Sequence, residues 1–178
     1  SLVGSEMCIR DSMCIGAYQI AGERIYTVSV LKDSEGYEVG VCNLDGSGYK
    51  RVTTIESGSI QYAGGYLFVL DGNIMYRMSP EGHDKRAICR LDITSAAFDA
   101  EHIYYTYVGA LEAGLYRMDF NGENAVRLVN DECFIVKMEG DSLYYQHEGG
   151  SKLSRYDKST GKSTGMVYTP YEEFAIDF

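Results

Sequence analysis

Residues 103–122 read IYYTYVGALEAGLYRMDFNG. Two apolar, tyrosine-rich runs, Ile103–Val108 and Gly114–Asp119, lead into Asp119-Phe120-Asn121-Gly122. Asn-Gly supplies the positive φ that a hairpin turn requires, so each run is predicted as a strand ending at a turn. Ile103-Tyr104-Tyr105, like Leu143-Tyr144-Tyr145, is apolar or aromatic on both faces, which points to strands covered on both sides. Ser95–Phe98 before this stretch and Ala125–Val129 after it complete a unit of four short strands. No 3.6-residue apolar period persists long enough for a helix.

The unit recurs. Its first anchor is an apolar–aromatic pair at Ile25-Tyr26, Leu67-Phe68, Ile103-Tyr104 and Leu143-Tyr144, with spacings of 42, 36 and 40 residues. A second anchor follows in phase: Ile74-Met75-Tyr76-Arg77-Met78, Gly114-Leu115-Tyr116-Arg117-Met118 and Lys152-Leu153-Ser154-Arg155-Tyr156. Gly40-Val41-Cys42-Asn43-Leu44 is set at that place in the first repeat. This alignment puts Gly48, Gly82 and Gly122 at one turn position, with Gly161 one residue later in the fourth repeat. First strands are predicted at Gly16–Ile20, Ser59–Tyr62, Ser95–Phe98 and Ile135–Met138.

Four-stranded sheets repeating at roughly forty residues are the blades of a β-propeller. A two-sheet sandwich does not predict such a repeat. The fold class expected is therefore all-β, a propeller fragment with blades near 14–55, 56–92, 93–131 and 132–170. Phe174–Phe178 reads as the first strand of a fifth blade, beginning at 171–178. A closed four-bladed ring is the alternative to an arc cut from a six-bladed one. An open arc would expose two apolar blade faces.

Composition agrees with many strands and turns: 16 Tyr and 20 Gly, against 2 Pro and no Trp. The formal net charge of −10 repels phosphate backbones, and no basic patch offsets it, so nucleic acid is not an expected partner. No apolar stretch approaches the length of a membrane span. Cys8, Cys14, Cys42, Cys89 and Cys133 form no C-x-x-C pair, and isolated buried thiols are expected for most of them.

The aromatic second strand followed by (Leu/Ile)-Tyr-Arg-Met-Asp-x-x-Gly resembles a group of bacterial, Firmicutes-type propellers related to the low-density-lipoprotein-receptor YWTD propeller. The resemblance covers residues 14–178. It implies a secreted or cell-surface protein and assigns no activity, while the missing Trp removes any specific YWTD chemistry. Residues 1–12, SLVGSEMCIRDS, are similar to a translated sequencing-adapter tract and are expected to be a non-native or disordered tail ahead of a partial propeller domain, 13–178.

Candidate chemistry is sparse. Asp119, Asn121 and Glu123 alternate as in a calcium loop, but Gly122 falls at the fourth place rather than the sixth, which favours a plain turn. Arg77, Arg117 and Arg155 recur at one strand position, where they either line a channel or satisfy groups between blades. His83, His102 and His147 fall at different points of the repeat, and no Ser or Cys has a nucleophile motif. No motif calls for a metal or cofactor. Loops joining second to third strands, and fourth strands to the next first, share one end of each blade. That rim collects Asp33, Glu35, Glu56, Asp92, Glu112, Asp131, Glu132, Glu148, Glu172 and Glu173 against Lys32 and Lys152. The opposite rim mixes acids with Lys50, Arg51, Lys85, Arg86, Lys158 and Lys162. The acidic rim is expected to be the recognition face of a non-catalytic module, for a cationic protein or carbohydrate partner or for a divalent metal. The competing readings are a propeller hydrolase or lyase acting on envelope polysaccharide, and a structural spacer in a larger parent whose remaining blades would be partners.

Overall fold

The structure, a computed structural model, describes residues 15–31, 35–109, 112–149 and 152–166. Among them the chain is all-β, with four antiparallel four-stranded sheets in chain order. Sheet 1 holds β1 (Ile15–Ala21), β2 (Arg24–Val30), β3 (Tyr37–Asn43) and β4 (Lys50–Ile55). Sheet 2 holds β5 (Gly58–Ala63), β6 (Tyr66–Asp71), β7 (Ile74–Met78) and β8 (Arg86–Arg90). Sheet 3 holds β9 (Ile93–Phe98), β10 (His102–Tyr107), β11 (Gly114–Asp119) and β12 (Val126–Val129). Sheet 4 holds β13 (Cys133–Glu139), β14 (Ser142–His147), β15 (Leu153–Asp157) and β16 (Lys162–Gly165). The predicted first strands fall within these elements, and the four strands of the third repeat match them to within a residue or two at each end. The tail 1–12, Lys32, Asp33, Glu172, Glu173 and the strand expected at Phe174–Phe178 lie outside the described residues.

Two compact units result. The first runs through Asp92 and also takes in residues 99–101 and 120–123; the second takes the rest. In the first unit, Tyr26, Val28, Val39, Val41 and Ile55 of sheet 1 pack on Leu67, Val69 and Met78 of sheet 2. Each fully buried side chain of this size contributes about 1.5–3 kcal/mol. Tyr26 and Tyr62 stack with centroids 5.5 Å apart. The Gln19 amide seals the first strands: its Nε2 donates to the Tyr62 carbonyl (3.2 Å) and its Oε1 accepts from the Tyr62 N–H (2.6 Å).

The second unit repeats this joint at the same register. Tyr104, Leu115 and Val129 of sheet 3 pack on Cys133, Leu143, Tyr145 and Tyr156 of sheet 4. Here a hydroxyl replaces the amide, Ser95 Oγ accepting from the Ile135 N–H at 2.7 Å.

The strand ladders correct the first repeat's alignment by two residues. Ile25 pairs with Cys42, Leu67 with Met78, Ile103 with Met118 and Leu143 with Tyr156. Cys42, not Leu44, therefore matches Met78 and Met118; Cys42 is buried, while Leu44 is 54% exposed. The turns agree. Gly46 N–H bonds the Asn43 carbonyl just as Gly82 N–H bonds that of Ser79. Gly46, Gly82 and Gly122 share φ of 80–87°. Gly48 is matched two residues later by Asp84 (φ 55°) and Asn124 (φ 54°), side chains that tolerate the left-handed region. Apolarity and a glycine four residues on made Leu44 look like an anchor, but in the fold it is a turn residue.

Second strands are covered on both faces in sheets 2 and 3, where Leu67, Phe68, Val69, Ile103, Tyr104 and Tyr105 are all buried. Sheet 4 departs from the expectation: Leu143 and Tyr145 are buried, Tyr144 is half-buried, and Phe134 on the Tyr144 face is exposed. The cysteines are also mixed. Cys89 and Cys133 are free thiols, whereas Cys42 is disulfide-bonded; Cys8 and Cys14 lie outside the described residues.

Candidate functional site

The described rim acids sit on loops at the end of each sheet where its second strand leads into its third. In the first unit these are Glu35, Glu56 and Asp92, all exposed. Asp71 at the end of β6 shapes their loop by accepting the Glu56 N–H at 2.8 Å. Glu112, exposed in the second unit, accepts the Tyr116 hydroxyl through its backbone carbonyl (2.6 Å).

Convergence occurs at Asp131, Glu132 and Glu148. The Glu148 N–H donates to the Glu132 carbonyl (3.0 Å), tying the β12–β13 and β14–β15 loops together. The Glu132 carboxyl, donating a hydrogen bond to the Glu148 carboxylate, is held above the usual carboxylate range, with desolvation and the Glu148 charge adding to the effect. Beneath them, burial together with the Asp131 and Glu132 charges raises the Cys133 thiol to about 11. Among the described residues no three metal-ligating side chains gather to hold an ion.

His147 reaches from the same place into the core. Its Nε2 lies 2.9 Å from Ser154 Oγ and its Nδ1 3.7 Å from Asp131 Oδ2, with the Tyr145 ring against it. The sequence kept these residues apart because they belong to three elements; the Tyr145–Ser154 register was the signal that could have joined them. The chain has the order of a hydrolase triad, but a nucleophile must be open to substrate with free N–H donors beside it. Ser154 is 2% exposed and sits inside the ladder between Tyr145 and Gly165. The arrangement works as a strut that fastens the acidic loop to the sheet.

The repeated arginines serve structure. Arg77 Nη1 donates to the Phe120 carbonyl (3.2 Å) and its guanidinium lies 4.3 Å from the Tyr66 ring centroid. Arg155 pairs with Asp157 at 2.8 Å, and Arg117 holds the same register opposite Tyr104. The D-F-N-G-E-N segment is a turn: Asn121 Nδ2 bonds Glu123 (2.8 Å), and Asn124 Nδ2 bonds Asp119 (2.6 Å). His102 faces Asp119 at 3.8 Å, and His83 closes the β7–β8 turn through its carbonyl.

A second polar group escaped the sequence reading altogether. On the face of sheet 1 away from sheet 2, Glu38 is 4% exposed, with one carboxylate oxygen bonded by the Tyr49 hydroxyl and the other by Arg51 Nε. The Tyr49 ring lies over Gly40, where a Cβ would strike it. Burial first, then the Glu38 bond and charge, raise the Tyr49 phenol to about 12.

No family model matches the chain, and no curated protein sequence does. Solved structures match its fold. TolB from Acinetobacter baumannii aligns at 18% identity with a TM-score of 0.61, over 84% of this chain and 43% of its own. The acylaminoacyl peptidase of Pyrococcus horikoshii aligns at 11% identity and 0.63, over 85% of this chain and 27% of its own. The computationally designed Ika4 protein aligns at 10% and 0.56, over 83% and 92%. The chain thus spans less than half the length of the first two. At these identities the likeness is one of fold, that of a β-propeller fragment.

Proposed function

We propose that the chain is a non-catalytic binding module working outside the cytoplasm, with propeller sheets as scaffold and the acidic loops as the recognition surface for a cationic segment of a protein partner. The repeat's resemblance to secreted bacterial propellers supports this, and the disulfide at Cys42 suits an oxidising compartment. The observation that carries the reading is the tie between Glu132 and Glu148 beside Asp131, which holds carboxylates from two loops at one place. Binding loops on a rigid sheet commonly have this form.

A lysine-rich peptide is the probe. Its affinity should fall about tenfold on Glu132→Gln/Glu148→Gln and weaken with added salt. Glu56→Gln/Asp92→Asn on the other unit should change it little. Equal losses from both pairs would reduce the effect to net charge and remove the site. Covalent labelling of Ser154 by a phosphonate would instead favour a hydrolase.

A further inference from the structure

In register, Leu44, Phe120 and Lys158 follow Asn43, Asp119 and Asp157 and begin the turn after the third strand of sheets 1, 3 and 4. Two of these turn residues dock on an aromatic ring at the first-anchor position of a second strand. Phe120 packs on Phe68 with centroids 4.9 Å apart, its carbonyl takes the Arg77 bond, and its ring touches Gly64, where a Cβ would collide with it. In the second unit the Lys158 ammonium lies 5.4 Å from the centroid of Tyr104, which matches Phe68. The shared socket is thus a ring with an arginine one strand over; a turn glycine, Gly64, completes it in sheet 2, where sheet 3 has Ala100.

Sheet 4 carries the same socket: Tyr144 for Phe68, Arg155 for Arg77 and Gly140 for Gly64. It is open. A Cβ at Gly140 meets nothing within 4 Å, Tyr144 is half-buried, and Phe134 beside it is 41% exposed. Sheet 1 carries the complementary knob, since Leu44 stands at the Phe120 position with its side chain in solvent.

We infer that a second copy of this chain docks here, its Leu44 turn seated on Tyr144 and Gly140 with the Leu44 carbonyl accepting from Arg155. Arg155 turns from Asp157 to do so, as an exposed pair gives little resistance. The contact is head-to-tail: each copy offers a knob on its first unit and a socket on its second.

Light scattering on the full chain across a concentration series tests it. Wild type should gain mass with concentration, and Leu44→Asp or Tyr144→Ala should each hold the chain at monomer mass. Mixing those two variants restores one intact joint, from the Tyr144→Ala knob and the Leu44→Asp socket, so about twice the monomer mass should appear. Arg155→Ala repeats the socket arm if Tyr144→Ala fails to fold. A wild type that stays monomeric, variants that still assemble, or folded variants that do not complement would each overturn the proposal.

Discussion

Sheets 1 and 2 meet through hydrocarbon and stacked tyrosines, with the Gln19 amide as the polar seal; sheets 3 and 4 meet at the same register with hydroxyls laid into the contact. Thr106 Oγ1 lies 2.6 Å from Ser95 Oγ and 2.8 Å from Thr94 Oγ1, and Ser154 stands where sheet 2 has Tyr76. One backbone register therefore carries two side-chain solutions. The difference teaches that the apolar rows do the holding, while the polar residues choose which groups meet. A buried hydroxyl with a partner is tolerated, and one without costs about 1–3 kcal/mol.

The deepest row should be the most sensitive and should not distinguish the joints. Leu67→Ala and Leu143→Ala empty matching positions, and each is expected to lower unfolding free energy by about 2–5 kcal/mol in urea titrations. A loss confined to one would break the equivalence. The seals come next and should differ. Gln19→Ala strands the Tyr62 N–H and leaves the Tyr62 carbonyl with the Gln61 Nε2 bond alone (3.3 Å), whereas Ser95→Ala strands only the Ile135 N–H; losses of about 1–3 kcal/mol are expected, the larger for Gln19. Equal values would mean that water replaces the amide.

The smallest effect lies outside both joints and is visible only in alkali. The folded Tyr49 phenol is raised to about 12 from 10.0, so its contribution is complete below pH 10 and fades as pH climbs towards 12. Tyr49→Phe should flatten the alkaline fall in melting temperature over that window. An unchanged alkaline limb would remove Tyr49 as its source.

Much of this was readable from the chain because it is local. Paired aromatics on second strands and Asn-Gly turns report backbone geometry within a few residues, and they placed the strands. The first repeat slipped by two because Leu44 is apolar for a reason the strand pattern does not contain. The candidate site was half legible. Loop acids can be counted from topology, but the Glu132–Glu148 tie and the His147 strut depend on register across strands. Glu38 was invisible, since a strand glutamate ordinarily faces water, and nothing near it in sequence announces that Tyr49 will fold back over Gly40.

The first unit borrows residues 120–123 from the hairpin of a later repeat. Repeat edges and packing edges therefore do not coincide. A chain cut after Asp92, between repeats, would leave Phe68 uncovered and Arg77 without its carbonyl, so gene dissection at that tidy boundary would yield a piece missing its own plug.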